Sequence, residues 1–157
     1  MPVKYVIAST SKTTVDRCRA ALAGIAGVEF RVGSVPDAWH GCDAAVVWWP
    51  LAHEQYGGTP EPGVAQVLFN SPGGDAPEVI LATPPGPGAT SGVGPTDPEI
   101  EEYTFSSLGA CIQEYLRHFP ECREAAAILI HLEASGINRR DMKAPLRGLE
   151  RFLRVDR

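Results

Sequence analysis

Residues 43–58 read "DAAVVWWPLAHEQYGG", and how this stretch divides decides the fold. Asp43 to Trp49 is apolar almost throughout, which suits a central strand covered on both faces. If both Trp48 and Trp49 lie on that strand, their indoles face opposite ways. From Pro50 the residues turn polar and end in Gly57 and Gly58, so this part reads as a loop leaving the strand. Three other apolar runs flank it: "KYVIA" (4–8), "EVILA" (78–82) and "AAAILIHLEA" (125–134). "VEFRV" (28–32) alternates, as a half-exposed strand does.

Helical patterns separate these strands. Ser11 or Thr13 is placed to cap a helix with Val15, Cys18, Leu22 and Ile25 on one face, ending at Gly27. The six residues "VAQVLF" (64–69) read as a short helix within a Gly/Pro-rich region. The clearest helix starts at "TDPE", with Asp97 as cap and Pro98 in the first turn. Its apolar stripe is Ile100, Phe105, Leu108, Ile112, Tyr115 and Phe119. A terminal helix carries Met142, Leu146, Leu149, Phe152 and Leu153. The order β-α-β-β-(α)-β-α-β-α predicts an α/β fold: a three-layer α/β/α sandwich with a mostly parallel mixed sheet. The 157 residues suit one domain, 1–157, with one core.

Composition narrows the function classes. A net charge of -5 argues against nucleic acid as partner. No apolar run reaches the ~18 residues of a membrane span, and no secretory leader is visible, so no membrane partner and a cytoplasmic location are expected. Cys18, Cys42, Cys111 and Cys122 include no CxxC pair. They are expected as reduced thiols, mostly in the core, with no metal site and no cofactor.

Several catalytic motifs fail. "GPGATSG" (86–92) is not GxGxxG, and there is no Walker lysine and no GxSxG. His53-Glu54 begins HExxH, but Gly57 stands where the second histidine belongs. His131-x-Glu133 lacks the PCxxC of the zinc deaminases. In its apolar strand, His131 is expected to be a hydrogen-bonded structural histidine. His53, in the loop after the central strand, is a functional candidate. The loops "PLAHEQYGG" and "ASGINRR" (134–140) would leave the same edge of a parallel sheet, where α/β folds bind ligands. Their glycines, a helix start, and Arg139 and Arg140 suggest a two-loop phosphate cradle.

In order and spacing the chain resembles the macro domain family, whose members bind ADP-ribose. "CDAAVVWWP" is similar to that family's "DAVVSPAN" strand, "EVILATP" to its "VIHAPT" strand, and "ILIHLEASGINRRD" to the strand and second phosphate loop. The opening segment through "GSV" resembles a bacterial and phage branch of the family. The resemblance implies a macro-like fold with a ligand site at Ser34, Val35, Gly57, Gly58, Ser135, Gly136, Ile137, Asn138 and Arg139. The partner it implies is an ADP-ribose-like nucleotide or an ADP-ribosylated protein. The departures are specific. Leu51 and Ala52 stand nearest to the family's ribose-binding asparagine, the first loop has two glycines instead of three, and Ser34 replaces the aspartate that reads adenine. Hydrolase activity is therefore expected to be weak or absent, with His53 and Glu54 as the nearest acid–base candidates. The alternative is a degenerate macro-like module for protein interaction, without a nucleotide site.

Overall fold

A computed structural model describes residues 3–86, 95–123 and 125–155. The elements run β1 (Val3–Ser9), α1 (Lys12–Ala21), β2 (Val28–Val32), α2 (Val35–Ala38), β3 (Ala44–Val47), α3 (Trp49–Tyr56), β4 (Gln66–Phe69) and β5 (Val79–Ala82). They continue with α4 (Asp97–His118), a 3-10 turn (Pro120–Arg123), β6 (Ala126–His131) and α5 (Lys143–Arg154). The six strands form one sheet in the order β2-β1-β6-β3-β5-β4. All pairings are parallel except β4 with β5.

The apolar runs take the inner positions, as their composition requires. β3 is buried at every residue and β6 nearly so, with Ala44 opposite Ile128 and Val46 opposite Ile130. Side chains alternate between the faces. Val3, Tyr5 and Ile7 of β1 join α1, α4 and α5 in one core cluster; the Tyr5 and Phe152 rings meet edge to face at 5.2 Å. Val6 and Ala8 join the other cluster, with Ala38 of α2 and Ala52 of α3. Helices therefore cover both faces of the sheet. The first face carries three long helices and bulky side chains. The second carries two helices of four and eight residues over a floor rich in alanine.

The structure corrects several sequence expectations. The central strand stops at Val47. Trp48 caps α3 and Trp49 begins it, so strand alternation does not place the two indoles. "PLAHEQY" is helical because Pro50 falls in the first turn, where a missing N–H removes no helix bond. Residues 66–69 form the antiparallel edge strand β4 instead of a helix, since pairing with β5 satisfies their backbone. A short helix, α2, follows "GS". Helix α4 is capped by Thr96, whose hydroxyl accepts from the Glu99 amide while Glu99 reaches back to the Thr96 amide. Helix α1 is capped by Ser11 and stops at Ala21, short of Ile25. Most of "GPGATSG" lies outside the described residues, which omit 87–94.

The thiols of Cys18, Cys42 and Cys111 are buried and Cys122 is half-buried; all four are free. Among the described residues no helix is long and apolar enough to cross a membrane.

Candidate functional site

Five parallel strands end on one edge of the sheet, and hydrogen bonds tie their exits together. The Leu132 amide donates to Ala8 O, Gly33 to Ser9 O, Trp48 to Ala134 O and Thr83 to Val47 O, at 2.8–3.0 Å. The exits of β3 at Trp48 and of β6 at 132–138 therefore lie side by side, but helix α3 follows Trp48 in place of the expected loop.

On the alanine-rich face, a cavity of about 440 Å³ lies between α2 and α3, reaching from Ala134 at this edge to Asn70, Asp75 and Ala76 toward the opposite edge, where β4 ends and β5 begins. Ala45 and Val47 of β3 form its floor. Val35 and Pro36 wall one side, Leu51, Gln55 and Tyr56 the other, and Asn70, Asp75, Ala76 and Ala134 complete the rim. The cavity exists because short side chains on the sheet meet short helices above it. Leu51 and Gln55 are four residues apart, so one face of α3 lines the cavity. Sequence reasoning missed Gln55, Tyr56, Asn70 and Asp75, whose signal was only a Gly/Pro-rich stretch. Asn70 braces the rim: its Nδ2 donates to Ala76 O at 3.2 Å, and its Oδ1 accepts from the Ser71 amide at 2.9 Å. Burial pushes the Tyr56 phenol upward in pKa, so it stays protonated and can donate.

Beside the cavity, the edge is organised around Glu133. Its carboxylate accepts from the Ser9 hydroxyl at 2.9 Å and from both the amide and hydroxyl of Thr10 at 2.7 Å. Burial alone would raise this carboxyl. The bonds from Thr10 and Ser9 outweigh burial and hold it below its ordinary value. His131 is hydrogen-bonded on both ring nitrogens, as expected from its apolar strand. Gly33 O can only accept, so Nε2 carries the proton at 2.9 Å, while Nδ1 accepts from the Ala134 amide at 3.3 Å.

The residues singled out from sequence do not converge on one point. Val35 lines the cavity, and Ser34 caps α2, its hydroxyl donating to Asp37 at 3.1 Å. Gly57 closes α3 at φ +87, and Gly58 packs against Leu68 and Gln66 of edge strand β4. The eight residues of α3, about 12 Å of helix, separate them from loop 132–138. Ser135 and Ile137 are buried, whereas Asn138 and Arg139 are exposed. Gly136 lies under the Trp48 indole. His53 donates from Nδ1 to Gly57 O at 2.9 Å, and its Nε2 is buried without a hydrogen-bond partner among the described residues. Glu54 is exposed on α3, and neither it nor His53 lines the cavity. No group of three or more His, Cys, Asp or Glu among the described residues is placed to hold a metal ion.

No protein-family model matches the chain, and neither a curated protein nor a solved structure matches it.

Proposed function

We propose that the chain is a divergent macro-like domain that binds ADP-ribose or a related nucleotide diphosphate, with weak or absent ADP-ribosyl hydrolase activity. One observation carries this reading. The cavity gathers Val35, after β2, and Ala134, after β6, around one face of α3, and these are the strand exits where the resemblance implies a ligand. Its volume falls in the range of small-molecule sites, ~300–1,000 Å³. Apolar walls suit a heterocycle, and Tyr56, Gln55, Asn70 and Asp75 offer donors and acceptors at its edges. The hydrolytic part is weak because His53 and Glu54 lie off the cavity. Among the described residues, Asp75 is the only carboxylate in the lining.

Calorimetric titration with ADP-ribose tests the reading. A saturable heat is expected, with a thermal shift of the folded protein. Neither signal at millimolar ligand would overturn it.

A second reading, a macro-like protein-interaction module without a nucleotide site, is favoured by Trp48. Its side chain covers Gly136 in the loop where a phosphate cradle was expected, yet Trp48 remains 46% exposed. Full retention of fold with no response to any nucleotide or nucleoside would leave this reading standing.

A further inference from the structure

We infer that the cavity grips the nucleoside end of its ligand and leaves the phosphates in solvent, so that an uncharged nucleoside binds at least as tightly as its diphosphate. This rests on the reading of the cavity as a nucleotide-ligand site and specifies which part of the ligand is recognised.

The first argument is that the edge's anion donors are already engaged. A phosphate loop works by presenting unpaired backbone amides. In loop 132–138 the Ser135 amide donates to His131 O, Gly136 to Glu133 O and Asn138 to Leu132 O. The Ala134 amide donates to His131 Nδ1. Four of the five amides from Ala134 to Asn138 thus have partners within the loop and its strand.

Donors at the starts of α1, α3 and α5 are likewise engaged. At α1, the Glu133 carboxylate itself takes the Thr10 amide, and Ser9 and Ser11 hydroxyls accept from the Ser11 and Thr14 amides. At α3, the Trp49 amide donates to Thr83 Oγ1, and the next residue, Pro50, has no amide to give. At α5, Asp141 accepts from the Lys143 amide. Protein carboxylates and hydroxyls thus take amides that a phosphate at these helix starts would use.

The charge balance agrees. Among the described residues that line the cavity, Asp75 is the charged one and none is Lys or Arg. Arg139 is exposed and is not among the residues that line the cavity. A diphosphate driven into the cavity would meet Asp75 and find no cation in the wall. The same ligand with its phosphates outside keeps them hydrated and still buries its heterocycle.

Calorimetry with adenosine, AMP, ADP and ADP-ribose, at low and at physiological ionic strength, tests this. Adenosine should bind within about threefold of ADP-ribose or more tightly, a difference small beside one decade of affinity. Added salt should leave adenosine unchanged and not weaken ADP, because screening reduces a repulsion. In Asp75→Asn the gap between ADP and adenosine should shift in favour of ADP by about threefold, as expected for removing one charge at solvent-exposed range. ADP-ribose binding about tenfold or more tighter than adenosine, and falling as salt rises, would overturn the inference while leaving the ligand reading intact. Failure of all four to bind would remove both.

Discussion

The Trp48 indole rests directly on the Gly136 backbone: a Cβ placed on Gly136 would lie 2.9 Å from Trp48 Cγ and 3.0 Å from Cδ1. Gly136 also has φ +77, which L side chains rarely adopt. Gly136→Ala therefore combines backbone strain with a steric clash. The expected cost is about 1–3 kcal/mol, read from the urea midpoint. The indole must move to admit the methyl group, so native tryptophan emission should change as well. Unchanged stability and emission would show that this contact does not hold the loop.

Glu133 ties β1, α1 and the β6 exit together. Its carboxyl lies below its ordinary value of 4.5 when folded, so the folded state binds its proton less readily than the unfolded chain. The stability it supplies is complete above that ordinary value and is lost as pH falls through the lower folded value. Glu133→Gln keeps an acceptor but removes the charge, and should cost about 1–2 kcal/mol at neutral pH. It should also flatten the acid limb of a stability–pH curve below pH 4.5. A parallel, merely displaced curve would contradict the role of this carboxylate.

Gly148 is where α5 crosses α4. A Cβ there would lie 2.5 Å from Glu101 O and 2.8 Å from Thr104 Cβ. Neither neighbour is a flexible tip, so the helices must separate. Separation would strain the contacts of Arg147 and Arg151 with Glu101, and of Arg151 with the Phe105 ring at 4.2 Å. Gly148→Ala should destabilise by about 2 kcal/mol despite the better helix propensity of alanine, as thermal denaturation would measure.

The thiols should differ in reactivity. Burial pushes Cys18 up to about 11 and raises Cys42 and Cys111 as well, so little thiolate forms at neutral pH. Cys122 is the one thiol that is not buried. A disulfide reagent should therefore modify one cysteine readily in the native protein and four after denaturation. Rapid native reaction at Cys111 would contradict its burial.

Where the sequence was legible, local signals agreed with the tertiary demand. The runs at Tyr5–Ala8, Ala44–Val47 and Ile128–Ile130 are apolar because these strands are covered on both faces, so their composition alone marks them. That the exits of β3 and β6 share one edge followed from the parallel order. Helix α3 was not legible, because Pro50 and the polar residues after it suit a loop and a helix start equally well. β4 was not legible because six residues are too few for periodicity to separate helix from strand. Pairing with β5 decided it.

The candidate site divides the same way. The sequence by itself determined that buried strands end near Trp48 and near Ala134 on one edge of a mostly parallel sheet, since apolar runs are local properties. Only the tertiary structure decided what those loops offer a ligand. Whether an amide faces solvent or a carbonyl depends on residues far apart in the chain: Thr10 on Glu133, Trp49 on Thr83, Gly136 under Trp48. The glycines are present in the sequence, but those pairings engage amides along the edge, and the alanine-floored cavity lies on the face beside it.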